Sequence, residues 1–325
     1  MDKRIVIIGG GTGLSALLRG LKHVTKDLHA VVNVVDDGGS SGRLRQDMDV
    51  IPPGDIRSCI LAMSNAPPTM ERLFNYRFEK GSLEGQSFGN LMLAALEDIC
   101  GSIESSIQET SKVFNITGKV YPVTLSNIRL EAELQNGERV IGESLIPQEA
   151  IRQNSPIKTV NLLPARPKTL PEVISIIETA DIVLVGPGSL YTSLLPALLV
   201  SGIKEAIIRS TGKCFYVANL MTQPGETDGL KLSDHIRVIE SHIEEPIFDG
   251  VIVNSAMPEP EILREYASQS ARPIVVEDDD IDYFKDKNLA IKQGGYIVLK
   301  DGLIRHHHQL VAQDILDFAE ELNLK

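Results

Sequence analysis

The sequence predicts an α/β fold, doubly wound around a mostly parallel, Rossmann-like sheet. Three observations carry that prediction. Short β-branched runs alternate with helix-patterned stretches along most of the chain, the rhythm of β-α-β units. Most of these runs are apolar throughout, as strands buried on both faces require. The first two, Arg4-Ile-Val-Ile-Ile8 and Ala30-Val-Val-Asn-Val-Val35, each end in a glycine-rich loop, where open α/β sheets place their ligands.

Taken in order, the first strand turns through Gly9-Gly-Gly-Thr-Gly-Leu-Ser15 directly into a helix, on which Leu14, Leu17, Leu18 and Leu21 share one face. The second strand closes a right-handed β-α-β unit and runs into the loop Asp36-Asp-Gly-Gly-Ser-Ser-Gly-Arg-Leu-Arg45. Pro52 and Pro53 exclude helix before a helical stretch over 55–63, with Asp55 as its cap. Helices are expected over 69–78 and 90–99, with 85–89 as loop. Residues 118–154 change texture: 120–125, 129–134 and 139–141 alternate polar and apolar residues, and Asn136-Gly137 supplies a hairpin turn. They read as an antiparallel β insertion within a single Rossmann-like domain of residues 1–325.

The α/β rhythm resumes with a helix over 171–180 and a buried strand over 181–185. That strand ends in Gly186-Pro-Gly-Ser-Leu-Tyr-Thr-Ser193, where another helix begins. Further strands are expected at 206–209, 215–218, 251–253 and 274–276, a late edge strand at 296–299, and helices at 233–243, 259–269 and 309–322. Polar loops also follow the strands that end at Ala218 and Val253.

Composition bounds the function. Of 325 residues 42% are hydrophobic and 23% charged, ordinary values for a globular chain, and the net charge of −12 excludes sequence-independent nucleic-acid binding, which needs a basic face. Cys59, Cys100 and Cys214 form no Cys-x-x-Cys pair, so neither a disulfide framework nor a zinc site is expected. The longest apolar runs fall far short of the ~20 residues of a membrane span. A cytoplasmic location is the expectation.

Chemistry concentrates in the loops. Gly10, Gly11, Thr12 and Gly13 offer backbone N–H groups at a helix start, an anion cradle. Leu14 stands where the dinucleotide fingerprint needs glycine, and no Gly-Lys-Ser/Thr follows, so neither that template nor the P-loop fits. Asp36 and Asp37 read either as ribose acceptors or as ligands holding Mg²⁺ against a diphosphate, the bland alternative being an Asp-Gly turn. Ser40, Ser41, Arg43 and Arg45 follow at once, and arginine forks match phosphate. Gly186, Pro187, Gly188, Ser189 and Thr192 form a second cradle. Asn90 is a cap or a ligand contact. His306-His-His308 reads as a solvent-exposed run, since consecutive residues cannot all face one ion.

Together, Gly9-Gly-Gly-Thr-Gly13, Val35-Asp-Asp-Gly-Gly-Ser-Ser-Gly-Arg-Leu-Arg45, Pro53-Gly-Asp55 and Gly186-Pro-Gly-Ser-Leu-Tyr-Thr-Ser193 resemble the bacterial gluconeogenesis factor family, a branch of the superfamily of 2-phospho-L-lactate transferase (CofD). The resemblance implies a role in growth on gluconeogenic carbon sources and in cell shape. It also implies binding of a nucleotide sugar such as UDP-N-acetylglucosamine, or of another nucleotide diphosphate, without an established reaction. A cell-wall or metabolic protein partner and a homo-oligomer are compatible with that role. In the transferase relatives a nucleotide-activated substrate and a divalent metal are used, which puts residues 10–13 and 186–189 beside the diphosphate and Asp36 and Asp37 near the metal. Three functions follow: a ligand-sensing regulator, a Mg²⁺-dependent transferase and an NAD-dependent dehydrogenase, the last disfavoured by Leu14.

Overall fold

Strand β1 (Ile5–Gly9) runs through the core of the protein with Ile5, Val6, Ile7 and Ile8 fully buried. The structure, a computed structural model, describes residues 2–323. The strands that follow are β2 (Leu28–Val32), β3 (Lys119–Pro122), β4 (Arg129–Leu134), β5 (Arg139–Ile141), β6 (Ile157–Leu163), β7 (Ile182–Val185), β8 (Lys213–Val217), β9 (Gly250–Asn254), β10 (Ala290–Gly294), β11 (Ile297–Lys300) and β12 (Leu303–His306).

Seven of them form one sheet in the order β10-β9-β8-β7-β1-β2-β3, and every neighbouring pair is parallel. The chain therefore winds outward from β1 through β2 to β3, then crosses back and winds the other way from β7. β1 and β7 lie side by side in register, Ile8 opposite Val185. The gap beyond their carboxyl ends is the topological switch point, the place where such sheets bind ligands.

Helix Gly11–Leu21 follows β1 and buries Leu14, Leu17, Leu18 and Leu21 completely, each worth about 2 kcal/mol over exposure. It packs against helices Gly54–Met63 and His308–Asn323. The small sheet β5-β4-β6 is antiparallel. Along β4, Leu130, Ala132 and Leu134 face the core, while Arg129, Glu131 and Glu133 face outward. Among the described residues no helix is long and apolar enough to cross a membrane.

Several elements differ from the sequence reading, each for a local reason. Residues 119–122, expected in the antiparallel insertion, pair parallel with β2 and close one edge of the main sheet. The small sheet instead takes its third strand from β6, beyond residue 154. Residues 206–209 are helical, within Ile203–Arg209: Glu205 accepts the Gly202 N–H at 3.0 Å, and Ile203, Ala206 and Ile207 bury a helical face. The segment 274–276 joins no sheet, with only Ile274 bonding back to the Leu220 carbonyl. β11 pairs with β12 in a separate hairpin, and the main sheet's second edge is β10, whose Lys292 and Gln293 hid its strand character. The loop 36–45 is helical from Gly39 onward. Helices Ile103–Val113, Ile146–Arg152 and Asp278–Asp286 had no counterpart in the reading.

Candidate functional site

Two glycine-bearing turns meet over the switch point. A Cβ at Gly13 would lie 2.8 Å from the Pro187 carbonyl oxygen, and one at Gly188 would lie 3.2 Å from that of Gly10. Only glycine permits so close an approach of backbone to backbone. The 186–189 turn is held from the far side: the Gly188 N–H donates to Asn219 Oδ1 (3.0 Å), Asn219 Nδ2 returns a bond to the Gly188 carbonyl (2.8 Å), and Gln223 Nε2 donates to Ser189 Oγ (2.8 Å). The loop after β8 is thus a third wall. These turns open on a cleft of about 320 Å³, also lined by Tyr266, Ile304, Arg305 and His306. The Ile304 N–H donates to the Tyr266 hydroxyl oxygen (3.0 Å), tying helix Pro260–Ser268 to β12.

The cleft gathers backbone donors and one cation. Helix Gly11–Leu21 leaves first-turn N–H groups without intrahelical acceptors and presents its positive dipole end. Arg305 adds a cation on the facing wall. His306 contradicts its expectation as part of an exposed run: it is half-buried in the cleft wall, its Nε2 3.2 Å from the Ala218 carbonyl. Burial holds its pKa down at about 4, so it is neutral and Nε2–H is the donor. His307 and His308 are half-buried as well.

Beside the first turn sits a recess of carboxylates. Asp55, at the start of helix Gly54–Met63, accepts the Gly11 N–H at 2.7 Å. Burial, and to a lesser extent the charge of Asp36, push its pKa up to about 6, against the bond from Gly11. Glu143, delivered by the loop after β5, is pushed up to about 8 by burial and then by Asp36, Asp37, Glu226 and Asp55. The insertion therefore reaches this recess. Reading the sequence as a cap and surface position understated Asp55, and Glu143 carried no signal at all. Only the Pro-Gly-Asp turn preceding a helix marked the first.

The remaining predicted residues divide sharply. Gly10, Gly11, Thr12, Gly13, Pro187, Gly188 and Ser189 line the cleft. Gly186 sits directly behind it, its N–H bonded to the Ile8 carbonyl at 3.0 Å. Asp36 and Asp37 lie outside the cleft, in and beside the recess. Asp36 Oδ1 accepts the Gly38 N–H at 3.0 Å, an Asx turn. Asp37 accepts the N–H groups of both Glu143 and Ser144 at 2.9 Å and so moors the insertion.

Ser40 and Ser41 are buried in a knot with Asn90, whose Nδ2 donates to both hydroxyls, while Ser40 Oγ donates to Gln86 Oε1. Arg43 is exposed and donates to the Glu84 carbonyl. Arg45, expected to meet an anion, is buried and donates to the carbonyls of Val35 and Ile128. Thr192 is also internal: its hydroxyl and N–H donate to the buried Glu226, which takes the Tyr191 N–H too.

Burial pushes Glu226 up to about 7, outweighing those three bonds. Between pH 4.5 and 7 the folded chain therefore keeps a proton that the unfolded chain has released, so this group lowers stability as pH rises through that window. Melting measured against pH should show the wild type losing roughly 3 kcal/mol more over this range than Glu226→Gln. Parallel profiles for the two proteins would show that the carboxyl ionises normally.

Fold and cleft together define a Rossmann-like protein whose two glycine turns meet over the switch point. Residues 5–293 match the family described as 2-phospho-L-lactate transferase CofD, and the chain belongs to that family. Within it, the chain is 45% identical to the gluconeogenesis factor of Bacillus subtilis, over 98% of both chains. It is 43% identical to that of Halalkalibacterium halodurans, over 97% of this chain and 96% of the other. A crystal structure of a Bacillus halodurans protein superposes with a TM-score of 0.92 at 42% identity, covering 97% of this chain and 100% of that one.

Proposed function

We propose that the chain is a regulatory protein that binds a nucleotide sugar of the UDP-N-acetylglucosamine type across the switch-point cleft, and that the occupied form serves gluconeogenic growth and cell shape. The observation that carries this reading is the contact between the 10–13 and 186–189 turns at the start of a helix, with Arg305 on the facing wall. The first-turn N–H groups of helix Gly11–Leu21 beyond Gly11, with Ser189 and Arg305 beside them, are the donors that a diphosphate would meet there.

The carboxylate recess favours a second reading, a Mg²⁺-dependent transferase on a nucleotide-activated substrate. Asp36 and Asp55 fit the ion: Asp36 lies close enough for its charge to raise Asp55, and Asp36 Oδ2 makes no hydrogen bond among the described residues. Asp37, whose two oxygens each hold an N–H, fits less well. No group of three or more His, Cys, Asp or Glu side chains is placed to hold a metal ion by itself among the described residues, so phosphate oxygens would complete the coordination, as is usual for Mg²⁺. The ion would neutralise phosphate charge; Asp55 and Glu143 are the groups placed to hold or release a proton.

A thermal-shift panel of UDP-N-acetylglucosamine, GDP and NAD, with and without Mg²⁺, tests both readings. UDP-N-acetylglucosamine at ~100 times its dissociation constant should stabilise by about 2.7 kcal/mol. Mg²⁺ should add more at pH 8 than at pH 6, because it must displace protons from Asp55 and Glu143. Turnover of the sugar nucleotide would favour the transferase, and stabilisation by NAD alone would sink both.

A further inference from the structure

A second cavity of about 410 Å³ lies between the antiparallel insertion and helix Pro260–Ser268, and it shares Pro224 and Gln269 with the phosphate cleft. We infer that this annexe receives the uncharged glycosyl group of the bound nucleotide, an inference that rests on the nucleotide-sugar reading above. The two cavities have opposite chemistry. The cleft pairs glycine N–H groups with Arg305, whereas the annexe has no Lys, Arg or His in its lining. Its only ionisable side chains are the carboxyls of Glu226 and Asp228, which disfavour a phosphate.

What it offers instead suits a polyhydroxyl ring. The side chains of Asn154, Gln269 and Ser270 make no hydrogen bond among the described residues, and Asp228 has Oδ1 uncommitted while Oδ2 takes the Gly225 N–H. Ile151, more than half exposed, supplies an apolar surface for the C–H face of a sugar. The aromatic and apolar groups Tyr266 and Ile304 lie in the cleft, where a base would stack. The insertion gains a role from this arrangement: its helix Ile146–Arg152 abuts the 224–228 loop, with Gly225 against the Pro147 carbonyl, and so walls the annexe.

Isothermal titration of the full chain with UDP and with UDP-N-acetylglucosamine tests the assignment. Ser268 is exposed on its helix and bonds only to the Glu265 carbonyl, so Ser268→Trp fills the annexe from one wall, and Ile151→Trp fills it from the other. Each should weaken UDP-N-acetylglucosamine about 10-fold while leaving UDP unchanged, with UDP affinity reporting that the fold is intact. Equal losses for both ligands, or no loss for either, would overturn the annexe while leaving the cleft reading in place. A wild-type protein that binds neither ligand would overturn the two together.

Discussion

Gly13→Ala should weaken UDP-N-acetylglucosamine at least 100-fold, about 2.7 kcal/mol, in a calorimetric titration. The added methyl would stand 2.8 Å from the Pro187 carbonyl oxygen and 3.0 Å from its carbon. Neither atom is the flexible end of a side chain, so the two turns must separate and their N–H groups no longer address one diphosphate. The cost in stability should be smaller, about 1–3 kcal/mol as for other overpacked sites. A variant that binds normally would show that the contact between turns is a packing feature only.

The second large effect distinguishes two adjacent aspartates. Asp37→Ala removes the acceptor for the Glu143 and Ser144 N–H groups and should lower stability by about 3 kcal/mol, since hydrogen bonds to charged groups contribute about 1.5–3 kcal/mol each. Asp36→Asn keeps an oxygen for the Gly38 N–H, so its melting temperature should stay near wild type. Its defect should be on the order of 10-fold in Mg²⁺ dependence, because a carboxylate ligand is lost. Denaturant unfolding and Mg²⁺ titration of the pair check both halves. If Asp36→Asn unfolds and Asp37→Ala does not, the roles are reversed.

The sheet was legible because its strands are buried on both faces: Ile182, Val183, Leu184 and Val185 admit no other reading once helices flank them. Pattern failed where an element is half-exposed, as in β10, or where four apolar residues suit a helix as well as a strand, as at 206–209. For the cleft, the two glycine turns were legible as strand-to-helix turns on one rim of the sheet, because backbone geometry follows local sequence. Side-chain partners were another matter. Arg45 and Thr192 carry groups that suit a phosphate, yet one meets two carbonyls and the other a glutamate 34 residues away. Asp55 and Glu143 enter the recess from a helix start and from an insertion loop, and no local pattern joins them to residues 36 and 37.

A crystal structure of the chain with UDP-N-acetylglucosamine and Mg²⁺ addresses the central claim most directly. The diphosphate should lie within hydrogen-bond distance of the first-turn N–H groups of helix Gly11–Leu21 and of Ser189, with Arg305 facing it. Phosphates found outside that cleft, or turned from both glycine turns toward solvent, would contradict it.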